Sequence, residues 1–576
     1  MESIHYSPTR RFFKLLQPDR KDIYYIYIYA IFSGIITLSL PLGTQAIIGL
    51  IAGGSVSSSW GLLIFIVTLG SLLGGVVKIM QMIVTETLQR RIFARSSFDF
   101  AFRLPRFSIE STRSTHMPEL VNRFFDTLTI QKGLPKILMD VTEAILQIFF
   151  GLLVLVFYNS MFVVFSFFLV LILLLIFYIT GPNGLKTSLT ESKYKYSVAY
   201  WLEEVGRTSA SFKLGGYTDL PLNRTDDLVV KYLDARKKHF KVLTIQYGSL
   251  IVFKTLITFL LLIIGSILVI DNQINLGQFI AAEIIVLQII NSVEKLIVSM
   301  DTVYDVLTAL EKIGKITDMP LEVEKGISFE LCDTGNGMNV ELHNLSYQFS
   351  DSNKEILKKI NLQIGSGERV CIAGYNGSGK STLIKIIAGL FENFKGQLSY
   401  NGLPVGGFLP SSLRSRIGDL SSKEDIFHGS VLDNITMGHH GISYQDAIEA
   451  AKKVGVHAFI QTLPEGYKTE LLPQGRTLSR SSRTKIVLAR NISCNPSLLV
   501  IEDIMNQLER ADRDKVIDIL TDKSCPWTLV AVSNDKQFAR KCDRVIIMDK
   551  GSIVLEGSYE QIIKSEHFSK VFDSQA

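Results

Sequence analysis

Two short stretches hold residues able to do chemistry on a phosphoanhydride. Residues 367–383 read GERVCIAGYNGSGKSTL and residues 498–507 read LLVIEDIMNQ. In the first, an apolar strand (RVCIA) enters Gly374, Tyr375, Asn376, Gly377, Ser378, Gly379, Lys380, Ser381 and Thr382, and a helical segment (TLIKIIAGLF) follows. This is the P-loop pattern in the strand–loop–helix setting it requires. Its glycines let backbone N–H groups turn toward phosphate oxygens, and the helix N-terminus adds a positive dipole end. Lys380 is placed for the β- and γ-phosphates and Ser381 for Mg²⁺. In the second stretch an apolar run ends in paired carboxylates, Glu502 then Asp503, the residue types that hold Mg²⁺ and orient an attacking water. Together they predict a site for ATP with Mg²⁺.

The elements that must position these groups belong to a chain of two unlike halves. At 576 residues it is too long for a single core. Residues 22–300 contain runs of about 20 mostly apolar residues, the length a helix needs to cross a bilayer's hydrocarbon core. Residues 339–576 instead alternate short apolar strands with polar helices. Six spans are predicted, near 23–51, 60–84, 137–157, 161–181, 247–270 and 277–300. Three connecting loops (GGSVSSSW, YNS, DNQINL) lack Lys and Arg, whereas the two long loops and the N-terminus (RRFFK, DRKD) are rich in them. Positive charge marks the cytoplasmic side. Both termini and both long loops are therefore expected in the cytosol, the chain lying in a membrane of the bacterial inner (cytoplasmic) type. The start shows no short apolar core with a small-residue cleavage site, so no removable signal peptide is expected.

All five cysteines fall in the second half without a CxxC pair, which fits a reducing compartment and argues against a zinc site. The net charge of +5 is modest and sits at the membrane face, favouring membrane orientation over nucleic acid as a partner. The long loops are not linkers. TETLQRRIFARSSFDFAFRLP continues the second span with helical spacing until Pro105, and the residues after ITGPNG read as helix too. Paired helices should project into the cytosol, with tips near 111–123 and 204–215 that serve as contact points for another cytosolic body. The expected fold is an all-α six-helix membrane domain over 1–316, a linker over 317–338, and an α/β P-loop NTPase domain over 339–576.

Six spans with short outer and long inner loops, followed by a P-loop domain, resemble a half-transporter of the ATP-binding cassette (ABC) exporter family. The likeness covers almost the whole chain, including LSYQFSDSNKEILKKINLQIGSGERV, LPEGYKTELLPQGRTLS, IVLARNISCNPSLLVIED and CDRVIIMDKGSIVLEGSYEQII. The resemblance implies that Phe349 (or Tyr347) stacks on adenine. It also implies that the helix tips couple the ATP domain to the membrane domain. Two halves, identical or different, would dimerise head to tail and close ATP between one chain's P-loop and the other's signature segment, which contains Ser479.

This chain departs from that pattern at most sites beyond the P-loop. For the signature LSGGQ it has Leu478-Ser479-Arg480-Ser481-Ser482, and for the strand-end Asp-Glu it has Glu502-Asp503. Ser422 is the nearest counterpart of the expected glutamine, Asn534 replaces the expected histidine, and Glu509 stands for an Asp. Each loss has a direction. Asp503 is shorter than glutamate by about 1.5 Å, one carbon–carbon bond. A misplacement of about 1 Å costs about a hundredfold, out of about 10²–10⁴-fold that a general base supplies. Glu502 remains able to serve Mg²⁺. Asn534 is able to donate a hydrogen bond to the γ-phosphate but carries no charge. Arg480 and Ser481 place Cβ atoms where backbone must approach phosphate closely. ATP binding is thus expected to survive while hydrolysis by the chain's own residues is slow.

In the membrane half, Lys254 and Glu294 fall at similar depths on adjacent antiparallel spans, so pairing would lower the cost of burying either charge. With Glu283 and Gln288 they are candidates for a transport path. Asp140, Glu143 and Lys78 sit nearer the cytosolic boundary and are expected to snorkel. The leading function is export of an undetermined cargo, driven by MgATP and completed by a partner half. The alternative is an ATP-sensing membrane scaffold or gate without turnover.

Overall fold

A computed structural model describes residues 7–52, 58–112, 116–216, 218–333, 335–349, 352–420 and 426–572. The chain divides into two compact units, residues 1–107 with 111–321, and residues 108–110 with 322–576.

The first unit is helical. Six helical stretches among the described residues are long and apolar enough to cross a membrane. Ser58–Arg103, Ser160–Arg207, Leu220–Ile270 and Leu276–Thr317 run for 46, 48, 51 and 42 residues without interruption. At about 1.5 Å per residue these are rods of roughly 60–75 Å. A hydrocarbon core is only about 30 Å thick, so each rod continues well beyond it, as the helical spacing of the long loops foretold.

Local chemistry sets the ends of these rods. Pro105 lies in the 3-10 turn Leu104–Arg106 that closes the first rod, because a proline lacks the N–H the next helical turn needs. Asn275 opens the last rod with a capping box, its side chain accepting from the Gln278 N–H while the Gln278 side chain accepts from the Asn275 N–H. Pro135 ends one helical segment, and a π-helical turn follows over Lys136–Val141. The side chains of Phe162, Phe253, Ile257, Val286 and Ile289 are buried together between these helices.

The second unit is built on two main sheets. An antiparallel sheet contains β1 (Val340–Gln348), β2 (Glu355–Ile364), β4 (Lys395–Tyr400) and β5 (Leu403–Pro404) in the order β2-β1-β4-β5. The central sheet contains β3 (Arg369–Gly374), β6 (Ile417–Leu420), β9 (Leu498–Glu502), β10 (Thr528–Val532), β11 (Arg544–Asp549) and β12 (Ser552–Gly557), in the order β12-β11-β3-β10-β9-β6. A small ribbon pairs β7 (Gly429–Ser430) with β8 (Glu470–Leu471). Every residue of β3 and of β10 is buried, which is why both read as unbroken apolar runs rather than alternating ones. All central pairs are parallel except β11 with β12. Register places Val532 of β10 beside Ile372 of β3 on one side and Glu502 of β9 on the other. The carboxyl ends of these three strands therefore finish together, the position where open α/β sheets present their ligand sites.

Candidate functional site

The P-loop leaves the carboxyl end of β3 and enters the helix Lys380–Ile387, whose first-turn neighbour Gly379 has φ +99°. A Cβ on Gly379 would stand 2.9 Å from the Leu357 side chain and 3.1 Å from the Ile356 carbonyl. One on Gly374, at φ +150°, would stand 2.4 Å from the Met548 carbonyl. These two glycines are thus required both by conformation and by space. The Lys380 ammonium reaches back to the carbonyls of Gly374 (2.7 Å) and Tyr375 (2.8 Å). Burial pushes its pKa down, and the charges of Asp503 and Glu502 oppose that shift. The lysine and both carboxylates therefore share one electrostatic environment. Ser381 is exposed at the start of the helix. A backbone cradle that excludes Cβ atoms, a lysine, a free hydroxyl and two acids form a donor set that fits ATP with Mg²⁺.

Asp503 has φ +53°, and its N–H donates to the Val532 carbonyl at 2.9 Å. Left-handed backbone is costly for most side chains, and Asp and Asn are among the residues that tolerate it. Reach alone disfavours Asp503 relative to glutamate. The structure adds a backbone reason for the short acid. Asp503 is exposed and Glu502 half-buried.

Asn534 lies two residues past the end of β10. Its Oδ1 accepts from the Gly374 N–H (3.1 Å) and its Nδ2 donates to the Gly374 carbonyl (3.2 Å). The amide thus clamps the first glycine of the P-loop with its oxygen and one of its two Nδ2 hydrogens, and the second hydrogen is not used in that clamp.

Of the two aromatic candidates, Tyr347 is 3% exposed and lies parallel to the Phe391 ring at 5.5 Å, inside the core. Phe349 is only half-buried and meets Tyr347 edge-on at 5.0 Å. In the signature segment, Ser479 caps the helix Arg480–Ser493 by accepting from the Ser482 N–H at 3.1 Å. Arg480 is exposed, whereas Ser481 is buried and donates to Asp512, which also receives the Lys485 ammonium, both at 2.8 Å. Burial tends to raise the Asp512 pKa, but hydrogen bonds from Lys485 and Ser481 outweigh it and hold the carboxyl below its usual range. Only one of the two added Cβ atoms, that of Arg480, thus belongs to an exposed side chain. Ser422 lies outside the described residues.

With this geometry in view, two families match the chain: "ABC transporter transmembrane region" over residues 23–293 and "ABC transporter" over residues 357–506. The chain belongs to the ABC transporters. It has the exporter layout, a six-helix transmembrane domain followed by a nucleotide-binding domain. It is similar to the alpha-hemolysin translocation ATP-binding protein HlyB of Escherichia coli, 30% identical over 343 residues, which are 59% of this chain and 48% of that one. It is also similar to a putative multidrug export ATP-binding/permease protein of Staphylococcus aureus, 28% identical over 254 residues, 44% of each chain. The matches thus span less than half the length of these relatives. Its fold is that of a solved bacterial Atm1-family ABC exporter with ATP bound, with a TM-score of 0.84 at 17% identity, covering 97% of this chain and 98% of that one.

In the transporter's membrane half, Lys254 and Glu294 form the expected ion pair, each about a third exposed. Glu283 lies eleven residues before Glu294, on the same stripe of the last rod. Gln288 does not. It shares its stripe with Ser292 and Lys295, and Ser292 donates to Gln147 at 2.7 Å while Lys295 pairs with Glu143 at 3.4 Å. Glu143 is 8% exposed and also lies 3.7 Å from Lys78. It therefore ties three helices together rather than snorkelling as expected. The i, i+4 spacing of Glu143 and Gln147, facing Ser292 and Lys295 at i, i+3, was the available signal.

Proposed function

We propose that this chain is one half of an ATP-driven exporter that binds MgATP through its P-loop, pairs with a second half, and hydrolyses poorly with its own residues. The observation that carries the reading is a contrast within one site. The phosphate cradle is complete, with Lys380 and both carboxylates in one environment, while Asn534 clamps Gly374 and Asp503 is short and held in left-handed backbone. In this reading Lys380 and the loop N–H groups hold the phosphates, Ser381 and Glu502 hold Mg²⁺, and half-exposed Phe349, with Tyr347 withdrawn into the core, meets adenine. Bound MgATP supplies the free energy of closure; Ser479 and Arg480 meet the partner's nucleotide. Lys254, Glu294 and Glu283 face the path, and both termini lie in the cytosol.

The similarity to HlyB and to a multidrug exporter supports export in a bacterial inner membrane. The experiment is ATPase activity of the chain purified with its native partner. Lys380→Ala in this chain should lower the activity only partly, because the partner's catalytic residues do most of the turnover. Complete loss with folding retained would place the main catalytic site here and overturn the reading. Nucleotide-driven dimer closure with no phosphate release would support the non-hydrolysing scaffold instead.

A further inference from the structure

A cavity of about 460 Å³ opens in the first unit among the extended rods, and five cationic side chains line it. Lys312 and Lys315 come from Leu276–Thr317, Lys193 from Ser160–Arg207, Arg224 from the start of Leu220–Ile270, and Arg123 from the turn after Met117–Asn122. The volume is that of a small-molecule site. One described carboxylate lines it, Glu119, and that acid is already bound by Arg123 through contacts of 2.7 and 3.0 Å.

Lys312 decides the matter. Its side chain is only 8% exposed, and no described carboxylate pairs with it. The Tyr196 ring lies 5.0 Å from its Nζ. Asp126 and Glu119 act on Lys312 without an ion-pair contact, and Asp126 accepts from the Tyr196 hydroxyl at 2.5 Å. A buried ammonium with no described carboxylate in contact is costly, and structures normally supply one. Lys193, Arg224 and Lys315 stand exposed at the mouth, and the Arg224 guanidinium is held over the Trp201 ring at 4.3 Å. With Arg123 engaged by Glu119, one guanidinium fork, that of Arg224, and three ammonium groups remain to meet phosphoryl oxygens.

We propose that this cavity binds a small soluble anion carrying phosphoryl groups, with pyrophosphate as its simplest probe. A soluble ligand is favoured over a lipid headgroup by distance. Lys312 and Lys193 each lie twelve residues beyond the predicted span ends at 300 and 181, about 18 Å along a helix. The site does not depend on the reading of hydrolysis given above.

The test is calorimetric titration of the full chain, in phosphatidylcholine nanodiscs, with inorganic pyrophosphate. Saturable binding is expected to persist in Lys380→Ala, where the P-loop no longer contributes, and to weaken at least tenfold in Lys312→Met. Lys315→Glu and Lys193→Glu, at exposed positions that do not threaten folding, should weaken it at least tenfold as well. Binding that disappears with Lys380→Ala, or that survives all three cavity substitutions, would overturn the proposal. So would loss of pyrophosphate binding when phosphatidylglycerol replaces phosphatidylcholine, which would assign the cavity to a lipid headgroup.

Discussion

Asn534 and Gly374 exchange two hydrogen bonds across 160 residues of sequence, the side-chain amide matching both polar groups of one glycine backbone. The Gly374 carbonyl also receives Lys380. The amide therefore fixes the loop from which the lysine works. Removing it in Asn534→Ala deletes two bonds worth about 0.5–1.5 kcal/mol each. Affinity for a fluorescent ATP analogue should fall about tenfold, a loss of roughly 1.4 kcal/mol. Asn534→Asp should bind more weakly still, since it sets an acceptor against the Gly374 carbonyl and a charge beside the phosphates. Unchanged affinity in Asn534→Ala would show that the clamp does not matter for binding.

Asp503→Glu tests reach against backbone. Restoring a methylene should raise hydrolysis about ten- to a hundredfold if carboxylate position is limiting. The same change replaces an Asp at φ +53° with a residue less tolerant of left-handed backbone, at a cost of about 1 kcal/mol. The expected result is a faster and slightly less stable protein, read from phosphate release and thermal melting in parallel. Faster melting with no gain in rate would mean that the backbone, not side-chain length, misplaces the acid.

How much of this was legible before folding depends on the range of each interaction. The rods, the P-loop and its helix were readable because 3.6-residue spacing, capping residues and glycine position are local signals. Whether Tyr347 or Phe349 remained available was not local, because it turns on Phe391 arriving from another segment to cover Tyr347. The same holds for Ser481, whose burial depends on Asp512, and for Glu143, whose partners come from two other helices. Asn534 was read by its chemistry alone. Its actual partner became visible only when β3 and β10 were paired in parallel.

The Lys254–Glu294 pair should behave as a coupled unit. Each side chain is about a third exposed, so the coupling is below that of a fully buried pair, about 1 kcal/mol. Lys254→Met and Glu294→Leu should each lower the melting temperature of the detergent-solubilised protein. The double variant should recover most of the loss, because no unpaired charge remains. If the stable double variant no longer stimulates ATPase with the partner, the pair serves the transport path. If activity is unchanged, it is a tie between helices.

Asp512 provides a test by pH. Its carboxylate accepts from Ser481 and Lys485, and its pKa is lowered in the folded protein. For a depressed acid, the stabilisation is fully present above the unfolded pKa of about 3.9 and is lost as pH falls through the lower folded value. Lys485→Met removes the stronger of the two donors. At pH 7 it should lower the melting temperature by a few degrees, consistent with a partly exposed pair worth about 0.5–1 kcal/mol. The difference from wild type should hold steady down to about pH 5 and shrink below about pH 4, as the pH falls toward the lowered folded pKa of Asp512. A difference that persists undiminished at pH 3 would show that Lys485 stabilises the helix Arg480–Ser493 by packing of its stem, independently of the Asp512 charge.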